Sequence, residues 1–329
     1  MRRHFLAIAV ILTVPTGCDN VAWGGIEVSV EAPETANEGT PGSAEAAPAE
    51  AVAPPEPLGP LMLAGTRVGS ALTLTPVGLL GTSGLEPLPT EPERREEALE
   101  VLGVDSEWVL FAGGVRVGTA TVSATRESSQ ECSLGIVLDA VPRLVPAAIN
   151  ADRLLALPAT LAGEWAFGDY APVAHSYDQR VASLDIGRAA LPRVGAPWPA
   201  NGMLPVRRDI RAFRPGGDAT PSFAASFVVG DTLDTSGPSP TSYSLFLMAD
   251  QGPQGFRETY LTYRTAEEGK AAPRFFGHLD WDEDGSDEVL LEVFGEGRRG
   301  YVALERGADG LWTRSFGSAC PHTAGATER

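Results

Sequence analysis

Phe275-Phe-Gly-His-Leu-Asp-Trp-Asp-Glu-Asp-Gly-Ser-Asp-Glu-Val-Leu-Leu-Glu-Val-Phe294 opens a stretch that continues through Gly300–Arg306 and Leu311–Phe316. It divides into four apolar or alternating runs: 275–279, 287–294, 300–306 and 311–316. The joints are Gly-Glu-Gly-Arg-Arg, Gly-Ala-Asp-Gly and one acidic loop. Short runs separated by such turn residues predict a four-stranded antiparallel meander. Within the acidic loop, Asp280, Asp282, Asp284 and Glu288 stand at positions 1, 3, 5 and 9, with Gly285 at 6 and Ser286 at 7. Calcium takes six to eight oxygens at 2.3 to 2.6 Å. Alternate carboxylates around a sharp Gly turn supply them, with a backbone carbonyl from position 7. The expected metal ligands are therefore Asp280, Asp282, Asp284, Ser286 and Glu288. Six carboxylates in nine residues, with no base among them, repel one another, and a bound cation removes that penalty. The alternative is a solvated acidic turn that holds no metal.

An EF-hand would place a bidentate Glu at position 12 and a helix on each side. Position 12 here is Leu291, and both flanks read as strands. The strand, DxDxDGxxE loop, strand unit instead resembles the FG-GAP or VCBS type of repeat, found in calcium-bearing β-propellers of integrins and of secreted bacterial proteins. Asp280, Asp282, Asp284, Gly285 and Val289-Leu290 match that pattern, and Glu288 stands where Asp is commoner. The resemblance implies a structural calcium ion that ties two strands together. It covers about a tenth of the chain and occurs once, whereas a propeller needs several repeats.

The body upstream, from Leu61, reads as mainly β. Runs at 108–112, 115–122, 133–138, 206–213, 222–229, 242–248 and 257–263 alternate with Gly and Pro. They predict antiparallel meandering sheets, with a propeller-like arrangement, a sandwich and a barrel all compatible. One short helix is expected near 91–102, from a capping box at Thr90–Glu93, Pro92 in the first turn and Gly103 beyond the end. Pro142, Pro146 and Pro158 exclude a long helix in 141–163.

The N-terminus reads as an address. Met1-Arg-Arg3 precedes an apolar run, Phe5–Val14, long enough for a signal peptide and about half a bilayer span. The run ends in Pro15-Thr-Gly-Cys18, which resembles the lipobox of bacterial lipoproteins, with Pro15 where an aliphatic residue is usual. The resemblance implies a signal peptide at 1–17, lipidation of Cys18 and attachment to the bacterial cell envelope through that lipid. A cut near Asn20–Ala22, giving a secreted product, is the alternative. Residues 31–60 are mostly Ala, Pro, Glu and Gly without Lys or Arg, so 18–60 is expected to be a tether that cannot offset its ordering entropy by burial. The globular domain then spans 61–329.

Charge removes further classes. Lys plus Arg number 25 against 43 Asp plus Glu, a net charge of -18. Nucleic-acid binding needs cationic surface to displace counterions, so nucleic acid is not an expected partner. Lys270 is the only lysine, and no basic run exceeds two residues.

Cys132 and Cys320 are left as a disulfide pair that an oxidising compartment permits, with two free thiols as the alternative. His175, His278 and His322 adjoin no nucleophile or zinc pattern, and His278 is expected on a strand facing solvent. Gly113-Gly114 and Gly216-Gly217 read as turns. Trp165, Trp198 and Trp312 could serve a carbohydrate groove or simply pack. The function expected is a non-catalytic exported lipoprotein that presents a surface to a protein or glycan partner. An exported hydrolase, its acid pair scattered over loops, is the second class.

Overall fold

The computed structural model describes residues 57–82, 84–216 and 220–318. The signal segment, Cys18, the tether up to residue 56, Cys320 and His322 lie outside the described residues. The chain is mainly β with antiparallel sheets, as the sequence indicates.

The first part supplies β1 (Leu61–Val68), β2 (Ala71–Gly81), β3 (Gly84–Glu86), α1 (Pro92–Val101), β4 (Glu107–Ala112), β5 (Val115–Glu127), β6 (Ile136–Leu144) and β7 (Arg153–Pro158). The strands pair in the order β1-β7-β4-β5-β6-β2-β3, and β1 also pairs with β2. Six strands thus close on themselves into a barrel, with β3 hanging from the end of β2. Register shifts at Met62/Leu63, Leu110/Phe111 and Val122/Ala124 mark bulges, which bend strands as closure requires.

Alternation along these strands sorts the side chains. Leu61, Leu63, Leu72, Leu74, Trp108, Leu110, Leu138 and Leu154 fill the interior, joined by Ala98 and Leu102 from α1 and its end. Met62, Ala64, Val109, Phe111, Leu155 and Leu157 point outward, yet they too are buried, because another sheet covers them.

That covering sheet is the meander read first in the sequence: β12 (Ala272–Leu279), β13 (Glu288–Phe294), β14 (Arg299–Arg306) and β15 (Trp312–Gly317), in sequential order. A second meander precedes it: β8 (Arg207–Phe213), β9 (Ser222–Val229), β10 (Tyr243–Gly252) and β11 (Gly255–Thr265). Phe276, Leu279, Leu290, Tyr301 and Ala303 face the barrel. Phe275, Val289, Leu291, Leu304 and Trp312 face Phe213, Ala224, Phe246 and Met248 of the second meander. The order of layers is therefore barrel, meander, meander and finally a helix. Sandwiched on both faces, β13 is buried at every position.

The outer helix is α3 (Tyr177–Val194), which the sequence reading missed, together with two single-turn helices, α2 (Ala159–Ala162) and α4 (Met203–Val206). Ser176 and Gln179 form a complete capping box, and Gly195 closes α3 in the left-handed conformation. The side of α3 that packs on β9 and β10 carries Gln179, Ser183, Gly187, Ala190 and Leu191. Small and polar residues there leave no apolar periodicity to read.

The helix α1 falls inside the range expected for it, but its start differs. Pro92 takes the first helical position, so Glu91 becomes the cap and makes no side-chain cap bond, and the expected Thr90–Glu93 box does not form. The open stretch 141–163 resolves into the end of β6, a 3-10 turn at Pro146–Ala148, β7 and α2. Gly113 and Gly114, with φ of 56° and 77°, form the tight hairpin turn between β4 and β5.

Candidate metal centre

The pairing of β12 with β13 ends at Leu279 opposite Glu288, leaving Asp280–Asp287 as the connecting loop. Trp281 is buried in the apolar layer between barrel and meander and anchors the loop from below. The loop is then folded by its own carboxylates. Gly285 N–H donates to Asp280 Oδ2 at 3.0 Å, Asp284 N–H to Asp282 Oδ1 at 3.2 Å, Ser286 N–H to Asp284 Oδ1 at 2.8 Å and Trp281 N–H to Glu288 Oε2 at 3.1 Å. The turn needs positive φ at Glu283 (60°) and Gly285 (91°), which Gly adopts without strain.

This folding brings Asp280, Asp282, Asp284 and Glu288 together, one carboxylate oxygen from each lying within 4.8 Å of the others. Two oxygens on opposite sides of one calcium ion are separated by about twice a 2.3 to 2.6 Å bond, roughly 5 Å. The spacing therefore fits a single shared ion. Donor chemistry fits too, since all four groups are hard oxygen ligands. Asp280 Oδ1 is buried and has no hydrogen-bond partner, a cost that a cation would remove. Ser286 is in place at position 7 of the same loop, its N–H engaged as above.

The electrostatics express the same crowding. Burial pushes the Glu288 carboxyl up to about 8, and Asp282, Asp280 and Asp284 add to the rise, while the Trp281 N–H bond opposes it. Asp280 is raised as well, first by burial and then by Asp282 and Asp284. Asp282 and Asp284 are exposed, which leaves the cluster open to solvent on one side.

Two neighbours of the cluster, Asp287 and His278, form a pair that the sequence analysis did not join. Asp287 stands outside the four-carboxylate cluster and meets His278, which is buried at 5 % exposure rather than facing solvent as expected. The reason is twofold. β12 is covered on both faces, and a register shift between Phe275 and Gly277 changes which way the residues after it point. The Gly113-Gly114 turn of the barrel closes over this pair. A Cβ on Gly114 would lie 2.9 Å from Asp287 Oδ2 and 3.2 Å from His278 Cε1.

Beside the pair opens a cleft of about 360 Å³ where the barrel and both meanders meet. Its polar lining includes Arg153, Arg211, Asp152 and Tyr170, and Arg211 is paired with Asp152 at 3.0 Å. Burial lowers Arg153 and raises Tyr170. No Ser, Thr or Cys is among the described residues that line the cleft.

The other candidates disperse. Cys132 is disulfide-bonded, while the partner expected for it, Cys320, lies outside the described residues. The loop carrying Cys132 docks on β14, with Cys132 N–H donating to Arg299 O at 3.0 Å and Glu131 2.7 Å from the Arg299 guanidinium. His175 is exposed. Trp312 is core, Trp165 packs edge-on against Phe111 at 5.4 Å and Trp198 is 54 % exposed. Among the described residues no helix is long and apolar enough to cross a membrane. Comparison with protein-family models, curated proteins and solved structures finds no match for the chain.

Proposed function

We propose that this is an exported, lipid-anchored, non-catalytic β protein in which the acidic loop holds one structural calcium ion. Asp280, Asp282, Asp284 and Glu288, with the Ser286 carbonyl, are its ligands, and the body presents a surface to a protein or glycan partner. The observation that carries the reading is the convergence of four carboxylates within 4.8 Å around a buried, unpartnered Asp280 Oδ1. The likeness of the loop to FG-GAP and VCBS repeats supports it, as does the lipobox-like Pro15–Cys18 for the anchor. The ion would stiffen the β12–β13 connection against the barrel, where Trp281 is already seated. Calorimetric titration with calcium tests the reading. One site per chain, lost on Asp284→Ala, supports it; no binding in the parent chain refutes it.

A second reading, an exported hydrolase, draws on the buried His278–Asp287 pair beside the cleft. With no Ser, Thr or Cys among the described residues of the lining, such an enzyme is expected to use water as nucleophile. Hydrolysis of simple nitrophenyl esters or glycosides that is lost in His278→Asn would favour it over the binding reading.

A further inference from the structure

Stacked sheets ordinarily interdigitate at crystal-like density across a gap of about 10 Å. Between the two meanders this holds over the Phe213–Phe275 contact, whose rings stack at 4.6 Å. At the opposite end of β12 and β13 from the acidic loop, it fails. A cavity of about 300 Å³ remains between β11 and the strands β12, β13 and β14. Leu291, Val293, Val302 and Pro273 supply apolar wall. A pocket of that size with apolar wall falls within the range of small-molecule sites.

The charge around the void is the reverse of the chain's. In a protein of net charge -18, four basic residues and one acid, Glu296, line this cavity. Lys270 is committed, its Nζ bonded to Asp231 Oδ1 and Ser236 O at 2.8 Å each. Arg298, exposed in the β13–β14 turn, and Arg314, on β15, form no ion pair among the described residues. Arg314 Nε–H donates to Phe316 O at 3.3 Å, so Arg298 is the exposed guanidinium of the two, and apolar wall beside it suits a ligand with an apolar body and one anionic head.

We infer that this inter-sheet cavity binds a small amphipathic carboxylate, its tail against Leu291, Val293 and Val302 and its head on Arg298. The site is separate from the acidic loop, and the inference does not depend on the calcium reading. Calorimetric titration of the full chain carrying Cys18→Ser tests it, with octanoate, octanol and acetate as probes. Octanoate should bind at one site, and octanol (tail without charge) and acetate (charge without tail) at least tenfold more weakly. Arg298→Glu, at an exposed turn position, should weaken octanoate at least fivefold with the melting temperature unchanged, and Val302→Trp should fill the cavity and abolish binding. Octanol binding as tightly as octanoate, full affinity in either variant, or no heat at millimolar octanoate would overturn the assignment.

Discussion

Asp287 Oδ2 lies 2.5 Å from His278 Nδ1, both side chains buried, so the acidic loop is fastened to β12 by a polar contact as well as by its backbone. With the proton on Nδ1, the imidazole N–H donates to the Asp287 carboxylate. Removing one member strands the other in a dry environment. His278→Ala should cost about 3 kcal/mol of unfolding free energy by urea denaturation. Asp287→Asn should lower stability while leaving calcium stoichiometry at one per chain, because Asp287 stands outside the four-carboxylate cluster.

The raised Glu288 carboxyl gives a pH dependence of definite sign. With a folded value of about 8 against an ordinary 4.5, the native chain in chelator holds its proton more tightly than the unfolded one. The contribution is fully present below about pH 4.5 and is lost as pH rises through 8. Calcium requires the carboxylate, so its stabilising effect should grow over the same window. Urea midpoints between pH 5 and 8.5 in chelator should fall with pH, and Glu288→Gln should flatten the trend.

Glu292, fully buried on β13, is held between the guanidiniums of Arg274 and Arg299, the latter at 2.9 Å. Arg299 in turn holds Glu131 of the barrel, whose carboxyl is raised chiefly by burial. Glu292→Ala leaves Arg274 without its carboxylate and Arg299 with Glu131 alone at the barrel–meander joint. A loss of about 3 kcal/mol in the unfolding free energy is expected from urea titration.

Attachment to the membrane is expected to rest on one atom, the Cys18 sulfur. Cys18→Ser should move the protein from the membrane fraction to the soluble fraction after ultracentrifugation. Retention in the pellet would mean another anchor.

How much was legible follows from how local each determinant is. β12 to β15 and the DxDxDG loop could be read because adjacent residues specify them, and observed strand limits differ from the expected ones by a few residues at most. Barrel closure was not legible, since it depends on pairings such as Leu63 with Ala156 and Leu63 with Pro76 made by the same strand. The helix α3 hid behind a packing face of Gln179, Ser183 and Gly187, although Ser176-x-x-Gln179 and Gly195 did announce its ends. Gly187 lets the helix pack closely there: a Cβ would come within 2.9 Å of Met203 Cε and 3.1 Å of Phe227 Cζ. His278 was misplaced because single-strand alternation presumes one wet face, and β12 has none.

The central claim, a calcium ion coupled to folding through the acidic loop, is tested most directly by thermal unfolding of the full chain in millimolar calcium and in chelator, beside Asp280→Ala. At a hundredfold excess over the dissociation constant, a bound ion contributes about 2.7 kcal/mol. The parent chain should melt several degrees higher in calcium, and Asp280→Ala should melt at one temperature in both. Identical melting of the parent chain with and without calcium would contradict the claim and leave the loop an acidic turn.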